Sequence, residues 1–146
     1  MLVREVMSTN VLKAKKDDPV RSVVLNMLNH HCGAIPVVDD NDQLVGIVSL
    51  RDVMMPLYPN YGDYSHEEFH NGNFLEMESG YPEVLKKSTR EVMTPDPVAV
   101  SPDEPVLKAA SFMGLKNLRR MPVTESGKLV GMVSIADINR GFFELR

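Results

Sequence analysis

Apolar positions recur along the chain at two spacings. Val20, Val23, Val24, Met27 and Leu28 fall at i, i+3, i+4, i+7 and i+8, which predicts a helix with one buried face. Asp17, Asp18 and Pro19 mark its start, an aspartate cap followed by proline in the first turn. The helix should end near His31, Cys32 and Gly33. Before it, VLKA (Val11 to Ala14) forms a short β segment. After it, AIPVVD and LVGIVS are too short for helices and read as strands joined by the turn DNDQ. LVGIVS is nearly all apolar, which predicts burial on both faces. LRDVMM then opens a second helix, so the order is β-α-β-β-α.

The second half of the chain restates the first. PVAV gives a β segment, and a helix from Pro105 places Val106, Ala109, Ala110 and Met113 inside. MPVT and LVGMVS flank the turn ESGK, and a last helix runs from about Ile135 to the end. Arg4, Pro19 and Pro36 match Arg90, Pro105 and Pro122 at one constant offset of 86 positions. After Asp39 and Asp40 the first copy carries one extra turn residue, so Gly46 and Asp52 match Gly131 and Asp137 at an offset of 85. Such an indel suits a turn, where insertions are tolerated. Two copies of this size cannot each bury much surface alone. The expected fold is therefore α+β, two β-α-β-β-α repeats packed around a pseudo-two-fold axis, with a cleft between them. The expected domains are residues 1–55 and 89–146, joined by a linker at 56–88.

The most repeated phrase is GIVSLRD at 46–52 and GMVSIAD at 131–137. Each reads as a strand running into a helix, with serine at the turn and aspartate in the first helical turn. Ser49 with Asp52, and Ser134 with Asp137, are S-x-x-D capping boxes, which start many helices that bind nothing. The same helix start exposes backbone N–H groups and the positive end of the helix dipole, which suits an anion.

Composition narrows the partners. The chain of 146 residues is 43% hydrophobic and 25% charged, with a formal net charge of −4. No cationic block supports nucleic acid or anionic membrane as a partner. No run approaches the ~18 apolar residues of a membrane span, and the N-terminus lacks a signal core. Cys32 is the lone cysteine, as expected for a small buried residue in a reducing cytoplasm.

Other chemistry is weak. Between Pro56 and Ser88 the composition turns polar and acidic, and short helices are expected at Glu67 to Glu78 and near Pro82 to Lys87. His66 and His70 there match the H-E-x-x-H spacing of zinc proteases, but the chain has no room for a catalytic domain around them. His30, His31 and Cys32 are adjacent, so their side chains diverge. There is no Gly-rich phosphate loop and no G-x-S-x-G, and the expectation is a protein that is not an enzyme and uses no catalytic cofactor or metal. Arg119 and Arg120 stand where the first copy has Gly33 and Ala34, and a pair of arginines at the mouth of a strand can clamp phosphate.

With its doubled REVM opening, xPVV-like strand and G-h-h-S-x-x-D close, the chain resembles a tandem pair of cystathionine-β-synthase-type (CBS) domains over nearly its whole length except the linker. The resemblance implies a regulatory module that binds an adenosine-containing ligand (AMP, ADP, ATP, S-adenosylmethionine or a NAD-type molecule) and signals to an effector protein. It implies two sites, each built from both copies. Ser49 and Asp52 would face Asp96 to Val98 and Leu118, Arg119, Arg120 and Met121. Ser134 and Asp137 would face Asn10 to Leu12 and Cys32 to Ile35, including Gly33 and Ala34. The aspartates would accept the ribose hydroxyls, and Ile35, Ile47, Met121 and Met132 would sandwich the adenine. Arg120 would sit near the centre of the cleft, within reach of either site. A homodimer through Leu50, Val53 and Met54 with Ile135, Ile138 and Phe142 is also implied. The competing readings are a ligand-free dimerisation module and a metal-dependent hydrolase centred on His66 and His70.

Overall fold

Val20, Val23, Val24 and Met27 do bury one face of the first helix, α1 (Val20–Asn29). The structure, a computed structural model, describes residues 1–58 and 72–144. Leu28 departs from the expected stripe and stays 52% exposed, because it lies in the last turn, where the helix ends and the chain leaves the core. No aspartate caps α1. Pro19, with φ held at −61°, is itself the N-cap, and the Asp18 carboxylate accepts the Lys15 N–H at 2.9 Å.

Strands β1 (Ala14–Lys15), β2 (Ala34–Val38) and β3 (Leu44–Ser49) follow the expected order. β1 runs parallel to β2, and β2 is antiparallel to β3. β3 is not buried on both faces. Gly46 and Val48 point inward while their neighbours are half-buried, the alternation of a hairpin with one face on the core. Beyond it lie α2 (Leu50–Met54) and a 3₁₀ turn (Met55–Leu57). α3 (Phe74–Glu78) and α4 (Tyr81–Leu85) belong to the linker. The rest of the helix expected at Glu67 to Glu78, with His66 and His70, lies outside the described residues. The second repeat supplies α5 (Thr89–Val92), β4 (Thr94–Pro95), α6 (Val106–Lys116), β5 (Arg120–Glu125), β6 (Lys128–Ser134) and α7 (Ile135–Phe143). PVAV does not form a ladder; only Val100 bridges in parallel to Val123, while the strand pairing falls earlier, at β4.

The repeats along the sequence are not the packing units in space, because each gives its opening segment to the other. Val3 is fully buried in the second core with Val106, Met113 and Met121, and Val6 and Met7 pack against it. Reciprocally, Val84, Val92 and Met93 pack on the first core with α1. Hydrogen bonds repeat the exchange. Val3 N–H donates to Glu104 C=O and Arg4 N–H to Pro102 C=O, both at 2.9 Å; Thr89 N–H and Arg90 N–H donate to Asp18 and Lys16 C=O, also at 2.9 Å. Arg4 pairs with Asp103, and Arg90 with Asp17. At the sheet edges Thr94 sits opposite Ile47, and Ser8 opposite Met132.

This exchange explains the glycine of the repeated phrase. A Cβ built on Gly131 would lie 2.7 Å from the Ser8 carbonyl oxygen, and one on Gly46 would lie 2.6 Å from Met93 Sδ and 3.1 Å from Thr94 O. The crossing segment passes too close to the strand for any side chain. At a third place the repeats meet through their hairpin tips: Leu44 N–H donates to Gly127 C=O at 3.0 Å and Leu129 N–H to Asp42 C=O at 2.9 Å. Lys13 hydrogen-bonds Asp42 there and holds its carboxyl below the usual carboxylate range.

The two glycines differ in what they meet, backbone at Gly131 and mainly a flexible methionine at Gly46. Gly131→Ala is expected to lower unfolding free energy by about 1–3 kcal/mol, the usual range for overpacking, and Gly46→Ala by less. Urea denaturation of both variants checks the order; equal or reversed losses would show that the crossing segment yields freely.

Candidate functional site

β6 runs into α7 through Ser134, whose extended backbone makes it the N-cap. Its hydroxyl accepts the Asp137 N–H at 3.0 Å, and the Asp137 Oδ2 accepts the Ser134 N–H at 2.9 Å. Ser49 and Asp52 make the same reciprocal pair at 2.9 and 3.0 Å. Both boxes are therefore caps in full working order, as the plainest reading of S-x-x-D requires. The cap engages Oδ2 of Asp137. Oδ1 has only a long 3.4 Å contact to Arg140 Nη1, and the side chain keeps 18% of its surface exposed. One carboxylate oxygen at this helix start is thus available to a further hydrogen-bond donor.

Ser134 and Asp137 border a cleft of about 240 Å³ between the repeats. The first repeat contributes Asn10, Leu12, Ala34 and Ile35, and the second contributes Met132 and Arg120. Asn10, Leu12, Ala34 and Ile35 are residues expected opposite Asp137, whereas Arg120 is expected with the Asp52 group, within reach of either site. Cys32 also lines the cleft, half-buried rather than enclosed, with its Sγ 3.5 Å from His30 C=O. Gly33 is exposed beside it, and the Arg120 Nη2 lies 4.0 Å from where a Gly33 Cβ would stand, so the guanidinium reaches across to the first repeat. The lining joins apolar Leu12, Ile35 and Met132 to a cation, an amide and a carboxylate, the usual make-up of a small-molecule site.

Ser8, Pro36 and Val133 line the same cleft without having been expected there. Pro36 and Val133 are core positions of their strands that meet the cleft floor. Ser8 is present because the opening segment crosses to β6 before turning back toward β1, and the only hint of that in the sequence is the glycine at 131.

The residues expected around Asp52 are placed as follows. Ile47, Ser49, Asp52 and Val98 are half-buried; Asp96, Leu118 and Arg119 are exposed. Met121 has no exposed surface and packs within the second core, a position from which it supports the strand rather than faces a ring. The expected dimer face also shrinks. Val53 and Ile138 are buried in the two cores, and Leu50 and Phe142 pack against them, because these helix positions complete the cores first. Met54, Met55, Ile135 and Phe143 remain outside, Phe143 at 82% exposure.

Among the described residues no group of three or more His, Cys, Asp or Glu side chains is arranged to hold a metal ion, and no helix is long and apolar enough to cross a membrane.

The family model of the CBS domain matches residues 3–58 and 90–144. The sequence is 26% identical to MJ1225 of Methanocaldococcus jannaschii over 92% of the chain, and 28% identical to YlbB of Bacillus subtilis over 94%. It spans 40% of the length of MJ1225 and 79% of YlbB. Among solved structures, CBSX2 in complex with AMP matches with a TM-score of 0.75 at 24% identity, covering 99% of this chain and 97% of that one; CBSX2 is a protein of Arabidopsis thaliana. The CBS domain pair of MJ0100, in complex with 5′-methylthioadenosine and S-adenosyl-L-methionine, gives 0.72 at 23% identity, covering 100% and 98%. At such identities the likeness is one of fold. Two family matches, one on each repeat, settle the relationship: the chain belongs to the CBS domain family.

Proposed function

We propose that this chain is a regulatory module that binds a phosphate-bearing adenosine ligand, of the AMP class, in the cleft beside Asp137. The observation that carries the reading is the convergence of Asp137, Arg120 and Asn10 on one open cleft between the repeats. Asp137 Oδ1 accepts the ribose hydroxyls while Oδ2 keeps the cap, so binding does not cost the helix its start. Arg120 supplies the cation for the phosphate. Ile35 and Met132 flank the adenine, whose edge meets the backbone of Asn10 to Leu12. A volume of about 240 Å³ lies just below the usual range of small-molecule sites, which favours a mononucleoside over a dinucleotide. Complexes of CBSX2 with AMP and of MJ0100 with two adenosine compounds support the ligand class.

The module acts by binding rather than by catalysis, with no catalytic cofactor, in the cytoplasm, where a free Cys32 stays reduced. Because Arg120 and Asp137 come from one repeat and Asn10 and Ile35 from the other, the ligand draws the repeats together. That movement is what an effector protein would detect. The exposed Met54, Met55, Ile135 and Phe143 form the face for a homodimer.

The complete capping boxes also suit a ligand-free structural module, and one substitution separates the two readings. Asp137→Asn keeps a carbonyl oxygen for the Ser134 N–H and gives up only the carboxylate's charge at the helix start, so it should cost no more than about 1 kcal/mol of stability. Calorimetry is expected to show AMP affinity falling by about tenfold or more, the loss of a charge-assisted hydrogen bond. Unchanged affinity, or no AMP binding by the parent protein, would leave only the structural reading. Light scattering tests the second part: the parent should be a dimer, and Phe143→Asp should shift it toward monomer.

A further inference from the structure

The stretch of chain that walls the cleft opposite Asp137 has few bonds of its own. Between the Ser8 bridge to Met132 and the start of β1 at Ala14, the N–H groups of Thr9 to Leu12 donate no hydrogen bond to the backbone among the described residues. Side chains hold this stretch instead. Along an extended segment alternate residues face opposite ways. Leu12 and Ala14 turn to the first core, and Leu12 also lines the cleft. Lys13 and Lys15 reach the turn between β2 and β3. Lys13 Nζ donates to Asp42 Oδ1 at 2.9 Å, and Lys15 Nζ to Asp39 C=O at 2.8 Å.

Asp42 is itself tied to the other repeat. Its C=O accepts the Leu129 N–H at 2.9 Å, beside the bond from Leu44 N–H to Gly127 C=O at 3.0 Å. It therefore joins the cleft wall, through Lys13, to the place where the two hairpin tips meet. The second repeat has no such joint. Lys13 matches Ala99 at the offset of 86, and Asp42 matches Gly127 at the offset of 85, so neither charge is repeated.

We infer that Lys13 and Asp42 are positioning residues for the ligand: their ion pair fixes the wall of Asn10 to Leu12 against the joined hairpin tips, and the affinity of the Asp137 cleft depends on it. The inference rests on the reading that this cleft binds an adenosine compound. Both partners are half-exposed, and such pairs contribute modestly, so the expected effect is about two- to fivefold.

A through-space effect of charge predicts something else. If Lys13 only attracted phosphate, removing the negative charge of Asp42 would tighten AMP binding, and neutral adenosine would be indifferent to both substitutions. A strut requires each substitution to weaken both compounds. Asp42 has φ of +62°, a left-handed conformation that Asn also adopts, so Asp42→Asn keeps the turn.

Titration calorimetry with AMP and with adenosine decides, using the parent, Lys13→Met, Asp42→Asn, the double variant and Lys13→Arg. Each of Lys13→Met and Asp42→Asn is expected to bind both compounds about two- to fivefold more weakly. The double variant should lose no more than either alone, the mark of a shared interaction. Lys13→Arg, which keeps a donor for Asp42, should stay within about twofold of the parent. Unchanged affinities, weakening of AMP alone, tighter AMP binding by Asp42→Asn, or additive losses in the double variant would overturn the inference and leave the adenosine reading intact. A parent that binds neither compound would overturn the adenosine reading, and the inference with it.

Discussion

The close crossing of each opening segment over the other repeat's inner strand is the contact on which the architecture depends. It needs a strand position without a side chain, and Gly46 and Gly131 provide it. It also needs apolar anchors that reach the far core, and Val3 with Met7, and Val92 with Met93, do so. Other cross-links between the halves follow the crossing at the offset of 86: the paired Arg4 with Asp103 and Arg90 with Asp17, and the reciprocal backbone bonds at the start of α1 and α6. The exposed ion pairs add little on their own. The burial of Val3, Val6 and Met7 on one side and of Val84, Val92 and Met93 on the other dominates, at roughly 1.5–3 kcal/mol for a fully buried side chain.

The cleft follows from that crossing. The chain passes from β6's edge at Ser8 to β1 at Ala14, and the segment between forms one wall of the cavity. The opposite wall is the end of β6 and the start of α7. The capping box there has a double use that a cap alone does not need. Oδ2 of Asp137 fixes the helix start, and the same side chain lines the cleft, so under the proposed function a ligand would meet a carboxylate already held in place. Preorganisation of this kind reduces what binding must spend on ordering.

Much of this was legible in the sequence, for identifiable reasons. The 3.6-residue stripe of α1 and the short β-branched and apolar runs made the element order plain, and the resemblance to a CBS pair set Ser134 and Asp137 against Asn10 to Leu12 and Cys32 to Ile35. The misjudged features are those decided by distant contacts. LVGIVS looked doubly buried because composition does not tell which face a strand turns to the core. The β segment of the second repeat was placed at PVAV, whereas pairing with β3 selects Thr94 and Pro95, a choice that only the exchange explains. Val53 and Ile138 looked available for a partner until the cores were seen to claim them. Met121 is a ring contact only by the family resemblance; in this chain the strand's inward phase buries it in the second core.

The exchange has a consequence for biosynthesis. Val3 lies in a core with Met121, Val133 and Ile138, residues translated more than a hundred codons after it. As the polypeptide leaves the ribosome, Val3, Val6 and Met7 have no berth until β5, β6 and α7 emerge, so neither half can mature alone. Contacts this far apart in sequence slow folding and leave early intermediates with uncovered apolar surface. A chaperone meeting the nascent chain would find that surface around Val3, Val6 and Met7.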